Sequence, residues 1–203
     1  MNKVLALSLL SAFSFVTNAN TFRTSGTDIA SLNCNTTGLI KMTFDFSGEA
    51  SSSLYNAPLD SQSYRLVVPA DDKFLFLKSS KSLNDFHFPL RLGINALKAG
   101  RPTAFRSYPN SVTFGFNGLE FGKILSFYKL TVSDSHASFV TPLGSLSMEY
   151  DDDTNKMAGI EYNDSNRYIQ TFECPNLPVN PLQKIRVFVR DTLEKNGFKS
   201  SNL

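Results

Sequence analysis

The chain has 203 residues and a mass of 22.5 kDa; 41% of residues are hydrophobic and 19% charged, with 18 Phe, 7 Tyr and no Trp. That composition supplies a packed core and excludes wholesale disorder, while the length excludes a large multidomain assembly. A formal charge of +2 lacks the basic excess of a dedicated nucleic-acid binder, so no nucleic-acid partner is expected.

Lys3 precedes a 13-residue apolar stretch from Val4 to Val16, and Thr17-Asn18-Ala19 follows. A basic start, an apolar middle and small residues before a cut make up a secretory signal. Residues 1–19 are therefore read as a cleaved leader, and the mature chain as exported to a periplasm or the extracellular space. The apolar run falls short of the roughly 20 residues that cross a bilayer, so no membrane span is expected once the leader is removed.

Residues 20–33 are polar and aperiodic and read as an irregular arm. Cys34 and Cys174 are the only two cysteines and lie near the two ends of the mature chain. An oxidising compartment favours a bridge between them. It would enclose 139 residues, a loop whose closure stabilises by about 5 kcal/mol in the chain-entropy treatment.

Ile40, Met42, Phe44 and Phe46 alternate with polar residues in the two-residue period of a half-buried strand, and residues 48–62 read as a turn-rich connection. Short apolar segments follow at residues 64–68 and 74–77. Phe86, Phe88, Leu90, Leu92 and Ile94 fall on one side of an extended segment, with Pro89 marking an edge or a bulge. Residues 98–110, which contain Gly100, Pro102 and Pro109, read as a loop.

In SVTFGFNGLEFGK, residues 111–123, Asn117-Gly118 suits the centre of a type I′ hairpin turn. That register would gather Phe114, Phe116, Leu119 and Phe121 on one face. Further strands are expected at residues 124–132, 138–140, 146–150, 157–162 and 167–174, separated by polar turns. The period then changes. Asn180-Pro181 opens a helix, Leu182, Ile185, Phe188, Val189 and Leu193 form its apolar face, and Asn196-Gly197 ends it.

The expected fold is thus mainly β: a single antiparallel β-barrel or β-sandwich domain over residues 34–174, with a C-terminal amphipathic helix over 178–197 packed on it.

Few residues in the sequence stand in a catalytic or metal-binding pattern. His87 and His136 stand 49 positions apart with no Cys, His or Glu at zinc spacing, so no metal site is expected there. Asp134-Ser135-His136 contains the residue types of a hydrolytic triad, but adjacent residues do not generally aim at one another in the required relay. Asp151, Asp153 and Asn155 have the alternate spacing of a calcium loop, but Lys156 stands where the glycine is needed and Tyr162 where the terminal glutamate is needed. A solvated turn accounts for the same residues. No cofactor motif is present, since neither a phosphate-cradling glycine loop nor a dinucleotide fingerprint occurs.

Charge is segregated along the chain. Residues 73–110 sum to +6 and residues 149–164 to −5, a separation that steers a partner of opposite sign to one face. Arg91, Arg101, Arg106 and Tyr108 combine cations with an aromatic in the basic stretch, a composition common in interface anchors. The reading is an exported, non-enzymatic binding protein that presents loops of a disulfide-tied β scaffold to a protein or an anionic surface, as an inhibitor or immunity protein does in a bacterial periplasm. Rival readings are a β-barrel carrier of a small apolar ligand, a hydrolase with dispersed carboxylates, and an assembly subunit.

Overall fold

The computed structural model describes residues 28–44, 50–54, 63–68, 70, 75–77, 86–120, 124–164 and 168–200. The expected leader, residues 1–19, and residues 20–27 of the expected arm lie outside these.

Alternation of apolar and small polar residues generates the central sheet. On β7 (Ser111–Glu120), Val112, Phe114 and Phe116 are buried, and their cross-strand partners on β8 (Ile124–Ser133) are Val132, Leu130 and Tyr128, all buried too. Cross-strand partners share a face, so this one register commits a whole side of the sheet to the core. The same side continues through β9 (His136–Thr141), β10 (Gly144–Asp151), β11 (Lys156–Asn163) and β12 (Tyr168–Cys174) with Phe139, Leu146, Met148, Met157, Phe172 and Cys174. β6 (Thr103–Tyr108) adds Phe105 at the far end.

From β6 to β12 each strand pairs antiparallel with the next, and β12 then pairs with β1 (Ala30–Phe44). Asn35 of β1 faces Glu173 on one side and Ser63 on the other, and Ile40 faces both Ile169 and Leu54. Hence β3 (Ser63–Val68) and β2 (Ala50–Leu54) lie one after the other along the outer edge of β1. The Cys34–Cys174 disulfide forms as expected and joins β1 to β12, with the Cα atoms 4.0 Å apart.

The sheet is open. A closed barrel or a clear sandwich, expected from the alternation, is not what forms: eight strands run continuously from β1 to β6 without the ends meeting, and two helices cover the apolar face. The physical reason is visible at β6, whose outer edge is met by the C-terminal tail and not by a strand. The Ser107 amide donates to Ser200 Oγ at 3.1 Å, and the same hydroxyl donates to the Ser107 carbonyl at 3.3 Å. Alternation specifies which side chains go inward; it does not specify whether the ends close.

The covering layer consists of β4 (Leu75–Leu77) paired with β5 (Phe86–Phe88), α1 (Leu90–Lys98) and α2 (Pro181–Lys195). Phe88 of β5 meets Phe116, Tyr128 and Phe139 edge-on, with ring centroids 5.8–6.3 Å apart. Phe198, just beyond α2, sits edge-on to Phe114 at 4.9 Å and Phe105 at 5.9 Å. These rings fill the apolar side of the sheet, and the described residues do not form the barrel enclosure that an apolar-ligand carrier requires.

Five local expectations change. The segment read as extended from Phe86 to Ile94 is a strand only to Phe88; Pro89 then caps α1, whose buried Leu90, Gly93, Ile94 and Ala96 follow helical spacing. Asn117-Gly118 does not turn, for β7 continues to Glu120 and pairs Asn117 with Phe127 and Gly118 with Ser126. The polar residues 30–33 belong to β1, and β2 occupies part of the connection read at 48–62. Finally, the loop read at 98–110 contains β6.

Candidate functional site

The side chains singled out by sequence fall in two places. Arg106 and Tyr108 lie on β6, the terminal strand, with Arg101 two residues before its start. Arg106 is exposed and Tyr108 is 52% exposed. Arg91 is in the first turn of α1 and exposed, at the opposite end of the helix from Arg101. Nine helical residues span about 13 Å at 1.5 Å per residue, so Arg91 does not join the β6 group.

The geometry of β6 follows from its neighbours. A two-residue link, Pro109-Asn110, joins Tyr108 to Ser111 and sets the β6–β7 register: Arg106 opposite Thr113, Ala104 opposite Gly115. Ser107 directs both its amide and its carbonyl outward, to Ser200. In an antiparallel pair the backbone groups alternate in direction, so Thr103, Phe105 and Ser107 turn theirs away from β7, while Ala104, Arg106 and Tyr108 turn theirs toward it. Side chains alternate as well: Arg106 and Tyr108 project on the open side of the sheet, opposite the buried Phe105.

Further cations surround this edge, and the sequence reading missed them. Lys98 closes the last turn of α1, and Lys199 stands between Phe198 and Ser200, both of which hold the tail against β6. Both lysines are exposed. Residues 86–119 contain no Asp or Glu. Among the described residues neither Arg101 nor Arg106 forms an ion pair, in contrast to Arg186, which holds Asp134 at 2.7 Å, and Arg190, which holds Asp191 at 3.0 Å. Lys199 and Ser200 reach β6 only through the tertiary fold, so sequence proximity gave no signal for them.

The other candidate constellations are resolved by their contacts. Asp134 does not approach a relay with His136; its carboxylate accepts from Arg186 Nε, and its carbonyl accepts from Asn180 Nδ2 at 2.6 Å. His136 lies across from Glu149, Nδ1 to Oε1 at 3.9 Å. In the acidic turn, Asp151 accepts from the Asp153 and Thr154 amides and from the Thr154 hydroxyl, the last at 2.6 Å. Those bonds, the Thr154 hydroxyl first, hold the Asp151 carboxyl below its ordinary value. Asn155 adopts the left-handed conformation at φ 52° and accepts from Tyr150 Oη, so turn geometry accounts for these residues. Among the described residues no three His, Cys, Asp or Glu side chains cluster so as to hold a metal ion, and no helix is long and apolar enough to cross a membrane.

Comparison with known protein families, characterised proteins and solved structures finds no match to this chain. The functional reading therefore stands on the β6 edge itself.

Proposed function

We propose that this protein is an exported, non-enzymatic binding protein whose basic β6 edge captures an anionic protein partner. One observation carries the reading: Arg106 and Tyr108 on the terminal strand of a disulfide-tied sheet, with Arg101 and Lys98 shortly before it in a stretch free of acidic residues, are joined by Lys199 on the tail held against that strand. Cations beside an exposed aromatic attract a partner of opposite charge and then anchor it through stacked apolar area. The scaffold suits this role because the long sheet and its core hold the edge rigid before the partner arrives, which lowers the ordering cost of binding.

A surface coated with poly-L-glutamate tests the charge reading. The wild-type protein is expected to be retained at low salt and released as salt rises. Combined Arg101→Glu and Arg106→Glu is expected to reduce retention at least tenfold. Combined Lys184→Glu and Lys195→Glu on the exposed side of α2 changes the net charge equally and is expected to reduce it far less. Equal losses in the two double variants would mean that overall charge, not the β6 edge, is responsible.

A further inference from the structure

We propose that the outer edge of β6 takes an extended acidic peptide as an added strand, in competition with the C-terminal tail held there through Ser200. This rests on the basic-edge reading above and names the mode of capture.

A terminal strand presents a row of outward amides and carbonyls, which is the template for strand addition. At Ser107 both groups already have a partner, and that partner is one side-chain hydroxyl. The Ser200 hydroxyl thus stands where a neighbouring strand's backbone would lie. The tail is anchored two residues earlier by Phe198, which is buried against Phe105 and Phe114. Release of Ser200 therefore opens the edge at Ser107 without removing Phe198 from the core.

Charge selects the occupant. Arg101, Arg106, Lys98 and Lys199 surround the edge, and Arg106 projects on the open side beside Tyr108. An incoming strand that carries carboxylates at alternate positions would place them on that open side, facing Arg106. A second copy of this chain is a poor occupant of the same edge, because pairing β6 with β6 brings two basic edges together, Arg106 and Lys199 of one copy near those of the other.

The test uses the full mature protein and two blocked octapeptides, one alternating threonine with glutamate and one alternating threonine with lysine, read by fluorescence anisotropy at low salt. The glutamate peptide is expected to bind and the lysine peptide not to. Ser200→Ala, which removes only the hydroxyl and leaves Phe198 in the core, is expected to tighten binding about fivefold by removing the competitor's two bonds to Ser107. Ser107→Pro removes only an amide that faces away from β7, a position where an edge strand accommodates proline. Because it also removes the amide's bond to Ser200, it is compared with Ser200→Ala, relative to which it is expected to weaken binding at least fivefold, with its unfolding midpoint measured alongside. If both serine variants bind as the wild type does while the arginine reversals abolish binding, strand addition is overturned and the basic-edge reading survives. If the arginine reversals have no effect, or neither peptide binds, both fall. Dimerisation of Ser200→Ala without peptide would overturn the choice of occupant.

Discussion

Gly93 sets how closely α1 approaches the sheet. A Cβ at this position would lie 2.6 Å from Phe114 Cζ and 2.7 Å from Phe116 Cδ1, nearer than real contacts allow. Two effects oppose each other in Gly93→Ala. Alanine is the better helix former by about 1 kcal/mol, whereas overpacking against two buried rings costs about 1–3 kcal/mol. Both rings are fixed within the core, so the steric effect is expected to win and the urea midpoint to fall at unchanged slope; a raised midpoint would refute this packing. Gly118 shows the same logic in a strand, where a Cβ would meet Tyr128 Cε2 at 2.8 Å. Its glycine serves a close ring contact, which is why Asn117-Gly118 read as a turn from sequence: a residue string cannot distinguish the two uses of glycine. Asp151 carries a pH consequence. Because its folded carboxyl titrates below the ordinary 3.8, the turn's contribution to stability is fully present above that value and is lost as pH falls through the lower folded value. A carboxyl-carbon NMR titration is expected to place the Asp151 midpoint below 3.8; a midpoint at or above it would remove the hydrogen bonds from the account.

The two helices differ in how well they could be read. α2 was legible because three independent signals agree: Asn180 caps it by accepting from the Leu182 and Gln183 amides, Pro181 opens it, and Gly197 follows it at φ 92°. α1 was not, because Leu90, Leu92 and Ile94 satisfy a strand's period as readily as Leu90, Ile94 and Leu97 satisfy a helix's. Its arrival beneath the rings of β7 decides the matter. The contact that seats α2 was equally hidden. Arg186 is buried and donates to Asp134 Oδ1 and to the Pro109 carbonyl, both at 2.7 Å, pinning the helix to two turns at one end of the sheet. Arg186→Ala is expected to cost about 3 kcal/mol, the lower end of the range for breaking a buried pair, because Asp134 is 42% exposed and recovers solvation. Asn180→Ala is expected to cost about 1 kcal/mol for the lost cap, together with the bond to the Asp134 carbonyl. Thermal or denaturant unfolding ranks the two; a larger loss at Asn180 would contradict the assignment of Arg186 as the chief tether.

For the molecule as a whole, the disulfide joins the first long strand to the last strand across 140 positions. Reduction and alkylation are expected to lower the unfolding free energy by about 5 kcal/mol; an unchanged denaturant midpoint would show that the two strands hold together without it. The strands from β8 to β12, the bridge and the buried side of the sheet were legible because each leaves a local pattern, whereas β2, β6 and the start of β1 are polar or Pro/Gly-flanked and left none. Closure was not, since it depends on what meets the β6 edge, and the answer lies some 90 positions further along at Ser200. The candidate site was half legible for the same reason. Arg101, Arg106 and Tyr108 are neighbours in sequence, whereas Lys199 and Ser200 join them only through the packing of Phe198 on Phe105. The central claim, that this edge is the surface on which a partner is received, is tested most directly by amide hydrogen exchange across the chain with and without saturating threonine–glutamate peptide. The expected result is slowed exchange centred on the outward Ser107 amide and its β6 neighbours. Protection that appears on α2 or on the open side of the sheet, with Ser107 unchanged, would contradict the claim.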